Sequence, residues 1–266
     1  MGKLFGWVVV LIAIGSAVPI VLHWWPMAPD ISLHGDLIDE QMASTMLEAG
    51  FAFMAAHFLL ACLVFRFADR KDHGEIRSFP GGARLMVVVA AVLVGVELLT
   101  LGIQGKRAWA AQYFQPPAAD ALTVQVQAGQ FAYFFRYPGP DGKLGAQHPA
   151  KINEGEQNYF GLDPENDVDS RDDIVTGELA VPVNREIRML MHTKDVGHSF
   201  YVPELRVQQD FVPGLDLMLH FTATKIGRYE IVCTQLCGMG HHNMKAYLRV
   251  TSQQDFDNWL KQKATE

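Results

Sequence analysis

The run Cys233-Thr-Gln-Leu-Cys237-Gly-Met-Gly-His241-His-Asn-Met244 places two thiols, an imidazole and a thioether within twelve residues. Upstream, His198 lies in Asp195-Val-Gly-His-Ser-Phe-Tyr-Val-Pro. Soft sulfur combined with imidazole is the donor set that copper prefers. A single blue-copper ion uses one cysteine. Two cysteines one helical turn apart suit two copper ions bridged by two thiolates. Two other readings stay open on the residues alone. Zinc held by two cysteines and two histidines leaves Met244 without a role. A Cys233–Cys237 disulfide suits an oxidising compartment. His192 and His242 are expected to be exposed or to stand behind the ligands.

Donors so far apart in sequence need a rigid scaffold to bring them together. From Leu122 onward the chain reads as short strands. Leu122-Thr-Val-Gln-Val-Gln-Ala alternates with period two, and Gln130-Phe-Ala-Tyr-Phe-Phe-Arg-Tyr is an aromatic strand before the turn Pro138-Gly-Pro-Asp-Gly142. Further strands are expected at Glu178–Val183, Glu186–His192, directly after His198, and at Leu217–Ala223, Gly227–Cys233 and Met244–Val250. Many short strands between Gly/Pro turns indicate a β-sandwich or Greek-key barrel. Tyr229–Cys233 ends one strand and Met244 starts another, so the ligand run is a tight loop at a barrel rim. Ser252–Lys263 reads as a capped amphipathic helix with Phe256, Trp259 and Leu260 on one face.

The first 105 residues differ in kind. Leu4–Leu22, Met42–Phe65 and Leu85–Gln104 are each apolar enough to cross a bilayer. Arg66–Arg84 carries five basic residues, whereas His23–Thr45 carries acids and no Lys or Arg. The positive-inside rule then puts Arg66–Arg84 in the cytoplasm and everything after Gln104 outside. Lys106 and Arg107 run against that rule. The first apolar stretch also fits a signal peptide loosely, with Lys3 before it and Gly15-Ser-Ala17 within it. The expected domains are a transmembrane helical region over 1–109, a linker over 110–121 containing Pro116-Pro117, a β domain over 122–252 and a helix over 253–266.

Composition removes other classes. A net charge of −7 over 266 residues argues against nucleic acid as a partner. Three cysteines, of which Cys62 stands alone in an apolar run, exclude a disulfide scaffold. The chain offers no nucleophile with a paired base and no phosphate loop, so no catalytic residue is assigned. Lys151–Glu178 carries nine acids against Lys151 and Arg171. Asp167, Asp169, Asp172 and Asp173 in that stretch, with Asp210, are candidates for docking a basic partner protein.

Residues from about Leu85 to Val250 resemble subunit II of the haem-copper oxygen reductases, the cytochrome c oxidases. The motifs that carry this are Asp195-Val-Gly-His198-Ser-Phe-Tyr-Val-Pro-Glu-Leu, Gln209-Asp-Phe-Val-Pro-Gly214 and Cys233-x-x-x-Cys237-Gly-x-x-His241-x-x-Met244. The resemblance implies a cupredoxin barrel holding a dinuclear CuA centre of two copper ions, with no haem on this chain. In it Cys233 and Cys237 bridge the ions and His198 and His241 are the terminal imidazoles. Met244 and the backbone carbonyl of Gln235 are the weak axial ligands. It further implies electron transfer from cytochrome c or a similar donor to haem in subunit I, among other oxidase subunits. The setting would be a bacterial-type inner membrane with the copper domain on its periplasmic face. A nitric oxide reductase with a CuA subunit is one alternative. A membrane-anchored copper-delivery protein is the other, although such proteins usually show a thioredoxin-like helix pattern.

The chain departs from the family in four places. Relatives usually have glutamate at position 235, whose side chain helps hold magnesium against subunit I, and Gln235 lacks that charge. Relatives carry tryptophans where this chain has Gln130-Phe131-Ala132-Tyr133. Phe131 and Tyr133 are therefore the candidates for accepting the electron, with Tyr133 expected to be the exposed member. Three membrane helices replace the usual two. Glu97 lies about 18 Å along the third apolar stretch by rise per residue, and is a candidate proton-path residue.

Overall fold

The computed structural model describes residues 2–22, 24, 26–68 and 81–265. Most of the basic stretch expected to face the cytoplasm lies outside these residues. Two compact units divide the chain, Met1–Met27 with Leu37–Ala108, and Ala28–Asp36 with Trp109–Glu266.

The first unit holds three long apolar helices, α1 (Gly2–Val21), α2 (Gly35–Phe67) and α3 (from Gly82). All three are long and apolar enough to cross a membrane. The α-helical geometry of α3 ends at Thr100. Helical backbone then continues through two π turns, Leu101–Gly105 and Ala110–Phe114, flanking Lys106–Trp109. The first five residues of the expected linker are thus helical. The small and apolar residues Ala110, Ala111, Tyr113 and Phe114 tolerate a helix, and it stops where Pro116-Pro117 forces extended backbone.

The second unit is a cupredoxin-like β domain of two five-stranded sheets. Its strands are β1 (Leu122–Gly129), β2 (Ala132–Tyr137), β3 (Ile174–Thr176), β4 (Leu179–Pro182), β5 (Glu186–Thr193), β6 (His198–Val202), β7 (Val207–Phe211), β8 (Leu217–Thr222), β9 (Gly227–Val232) and β10 (Lys245–Thr251). One sheet runs β3-β2-β1-β5-β8 and the other β4-β10-β9-β6-β7. The parallel pairs β1/β5 and β4/β10 need long crossovers, which is how residues far apart in sequence reach one rim. Between the sheets lie Val124, Val126, Phe135, Met189, Met191, Phe200, Leu248 and Val250, all essentially buried. Ala28–Asp36 is counted with this domain: Ile31 is buried in its core, and Thr224 N–H donates to the Ile31 carbonyl at 2.7 Å.

Two strands escape the sequence reading. β3 has three residues, and β7 carries the polar run Gln208-Gln209-Asp210. Three residues are too few to show a period, and in β7 the polar Gln209 shares a face with the buried Val207 and Phe211, which breaks the alternation that marks a strand. The C-terminal helix, Gln253–Lys263, is as expected. Ser252 caps it by accepting from Asp255 N–H at 3.1 Å, and Phe256 and Trp259 are buried against Tyr137.

The acid-rich stretch is a covering layer rather than a free loop. Arg136 on β2 is fully buried. It donates to Gln125 Oε1 at 2.9 Å, to the Gly145 carbonyl at 2.7 Å and, through Nε, to Asp173 at 3.0 Å. Gln147 bridges Gln125 and Gln127 on β1. The polar face of β1–β2 is therefore buried with its hydrogen bonds made, as burial of such groups demands.

Candidate metal centre

Three chain segments meet at one end of the β domain. The Asp195–Gly197 turn delivers His198 at the start of β6. The loop after β9 delivers Cys233, Cys237 and His241, and Met244 closes it just before β10. Cys233 N–H donates to the Met244 carbonyl at 3.2 Å and His241 N–H to the Gly238 carbonyl at 3.1 Å, so the loop is fastened at its base and at its tip. The third segment is the β1–β2 turn, where Gln130 Nε2 donates to the Cys237 carbonyl at 2.6 Å.

The donor atoms converge. Cys233 Sγ and Cys237 Sγ are 3.8 Å apart as free thiols, and Cys237 Sγ is 3.8 Å from Met244 Sδ and 3.6 Å from His241 Nδ1. His198 Nδ1 is 3.1 Å from Met244 Sδ. Gln235 turns its side chain outward and its carbonyl inward, 3.1 Å from Cys233 Sγ. His198, Cys233 and Cys237 alone place ligand atoms within 4.8 Å of one another. The thioether stands among the other donors, which a closed zinc site of nitrogen and thiolate would not require. This soft, sulfur-rich set fits copper.

Behind the donors, Asp195 Oδ1 accepts from His198 Nε2 at 2.8 Å. That bond fixes the ring so that Nδ1 faces the sulfurs, the usual role of a carboxylate behind a ligating histidine. Burial pushes the Asp195 carboxyl up, but hydrogen bonds from Gln130 N–H, His198 and Val196 N–H outweigh it and hold it below the ordinary carboxylate value. Burial pushes the Cys237 thiol up to about 11, with the neighbouring Cys233 adding to the effect. The protons leave such thiols when a cation takes their place.

The expectations for the aromatic pair need correction. Tyr133 is buried, 2% exposed, and its hydroxyl donates to the Ser199 carbonyl at 2.5 Å beneath the cysteines. Burial, with the two cysteines, raises its pKa. Phe131 is the exposed member, at 38%. The two do not share a strand face, because β2 begins at Ala132 and Phe131 belongs to the turn. Its ring lies on the metal loop. A Cβ at Gly240 would sit 2.4 Å from that ring, and Gly238, at φ +131°, could not carry one without strain.

The docking acids also divide. Asp173 is not a surface group, since its side chain is fully buried against Arg136. Asp167 accepts from Ala146 and Asp169 N–H, and Asp172 from Asp141 N–H, so both fasten backbone. Asp169 stands 3.9 Å from Lys143, and Asp210 is half-buried opposite Ser199. Of the spare histidines, His242 is exposed and His192 pairs with Asp216 at 2.9 Å. Sequence reasoning missed Asp195 and Gln130 as supports. The neighbouring Asp-x-x-His spacing was the available sign for the first, and nothing local marked the second.

Residues 164–251 match the family described as cytochrome c oxidase subunit II, periplasmic domain. The alternative cytochrome c oxidase subunit 2 of Bradyrhizobium diazoefficiens is 31% identical over 260 residues, which are 97% of this chain and 91% of that protein. Cytochrome c oxidase subunit 2 of Cereibacter sphaeroides is 26% identical over 214 residues, 77% of this chain and 68% of that one. Among solved structures, the periplasmic domain of subunit II of cytochrome oxidase from Bradyrhizobium japonicum is 27% identical. It covers 57% of this chain and 98% of its own, with a TM-score of 0.42.

Proposed function

Since this chain belongs to the subunit II family of cytochrome c oxidases, a membrane protein with a periplasmic domain, we propose that it accepts electrons from cytochrome c and passes them to haem in subunit I. The observation that carries this reading is the convergence of two thiols, two imidazoles, a thioether and a backbone carbonyl at one rim. Cys233 and Cys237 would bridge two copper ions, His198 and His241 would cap them, and Met244 and the Gln235 carbonyl would be the weak axial donors. The bound pair of ions supplies reversible one-electron exchange. The reduction of oxygen belongs to another chain.

The protein's own contribution is rigidity and access. Asp195 locks His198, and the β9–β10 hydrogen bonds hold both ends of the cysteine loop. Small donor motions keep the cost of changing oxidation state low. Phe131 supplies the conjugated surface group over the loop. The sheet-rich domain opposes a thioredoxin-like delivery protein, and relatives named as oxidases disfavour a nitric oxide reductase.

Phe131→Ala is expected to slow electron acceptance from cytochrome c several-fold while leaving the copper absorption unchanged. Tyr133→Phe should instead cost stability, about 1 kcal/mol for its lost hydrogen bond, with electron acceptance at the wild-type rate. Stopped-flow oxidation of reduced cytochrome c separates the two, and a wild-type rate in Phe131→Ala would move the entrance elsewhere.

Met244→Leu should retain both copper ions and raise the reduction potential, because losing a donor destabilises the oxidised form. Met239 is 94% exposed and is the control. Redox titration of both variants checks the assignment, which is wrong if Met239→Leu shifts the potential and Met244→Leu does not.

A further inference from the structure

Gln130 binds both halves of the metal rim. Its backbone N–H donates to Asp195 Oδ2 at 2.8 Å, and the other oxygen of that carboxylate accepts from His198. Its side-chain Nε2 donates to the Cys237 carbonyl at 2.6 Å. This approach needs a glycine at 238, where a Cβ would sit 2.8 Å from that nitrogen. The turn that carries Gln130 is itself held, since Lys194 N–H donates to the Ala128 carbonyl at 3.1 Å. The cysteine loop has less support. Among the described residues, the Gln130 amide makes the only hydrogen bond between residues 235–243 and a segment outside the 233–244 loop. Gly238 and Gly240, between Cys237 and His241, give that stretch backbone freedom. Without Gln130, both ligands would keep their places only through bonds inside the loop.

We propose that Gln130 is a positioning residue for electron transfer: its amide holds Cys237 and His241 in one place, in register with His198, in both oxidation states of the metal centre. The proposal deepens the copper reading given above and rests on it. Phe131, the next residue, touches the loop through its ring and has a different role, that of the entrance. The two roles separate in kinetics. Losing the entrance slows the arrival of the electron alone. Losing the restraint lets the donors shift each time the charge of the centre changes, so arrival and departure both slow. A residue of purely structural worth would lower stability and leave both rates alone.

The test compares the wild type with Gln130→Met, which keeps the length and loses the donor, and Gln130→Glu, which sets an oxygen against the carbonyl. In the copper-free full chain, hydrogen exchange at the His241 and Asn243 amides should run about fivefold faster in Gln130→Met, the scale of one lost hydrogen bond. Gln130→Glu should exchange at least as fast. In the purified oxidase complex, electron acceptance from cytochrome c and the onward step to haem should both slow about tenfold in Gln130→Met, as when a partner behind a metal ligand is removed. Phe131→Ala should slow the first step only. Wild-type exchange in Gln130→Met overturns the proposal. So do faster exchange with both rates unchanged, which leaves Gln130 only structural, and slowing of acceptance alone, which puts it with the entrance. Copper and electron acceptance are measured in the wild type as well. A wild-type complex that lacks copper, or holds it and takes no electrons, defeats the functional reading, while the exchange arm still decides whether Gln130 restrains the loop.

Discussion

Cys233→Ser is expected to abolish the two-copper centre and with it electron acceptance. The wild-type chain, loaded and freed of excess metal, should hold two copper ions. The variant should lose the thiolate–copper charge-transfer absorption and bind one ion weakly or none. A hydroxyl is too hard and too weakly acidic to replace a bridging sulfur. Cys233 sits between Cys237 at 3.8 Å and the Gln235 carbonyl at 3.1 Å, so no other sulfur can take its place without moving the loop. Removing a supporting residue behind a metal ligand already costs roughly 10–100-fold in affinity or activity, and losing a bridging ligand should exceed that. Metal analysis, visible absorption and cytochrome c oxidation all read the effect, and amide circular dichroism should stay native. One copper per wild-type chain, or zinc in preference to copper, would sink the assignment.

The second large effect is far from the metal. Asp173→Asn should destabilise the β domain by about 3–5 kcal/mol, the range for removing one partner of a buried ion pair. Arg136 would remain charged and fully buried, with Gln125, Gly145 and the ring of Phe160 around it but no counter-charge. Burial pushes the Asp173 carboxyl above its ordinary value, and the Arg136 bonds pull against that. Calorimetry or denaturant unfolding of the β-domain transition gives the number. A loss under about 1 kcal/mol would put the pair with exposed salt bridges and contradict its placement. The result also decides how docking is tested. Neutralising all four loop aspartates together would confuse folding with steering. Of these four only Asp169, which fastens no backbone and stands 3.9 Å from Lys143, should be changed when the salt dependence of electron acceptance is measured.

The candidate donors were legible because chemistry-bearing residues cluster in the linear chain, and their type survives any detail of folding. The three apolar helices and most strands were legible through period and length. The rest depended on contacts between segments distant in sequence. Phe131 and Tyr133 read as one strand face until the strand proves to begin at Ala132. Phe131 instead belongs to the turn between Gly129 and Ala132, where strand alternation no longer sets its direction, while Tyr133 inside β2 faces the core. Asp173 read as one acid among nine in a surface loop. Its burial depends on Arg136, a lone cation inside the aromatic strand Phe134-Phe135-Arg136-Tyr137, and that oddity was the only mark of a covered face.

The depth of the sulfurs has a consequence for how the protein is made. Cys237 is 3% exposed and Met244 2%, while His241 stands half-buried at the rim. An ion arriving from solvent would meet His241 first, with the thiols behind it under the 233–244 loop. Loading is therefore a question of timing. A chain that folds before metal arrives would load through openings of a loop fastened at base and tip, and would release metal by the same route.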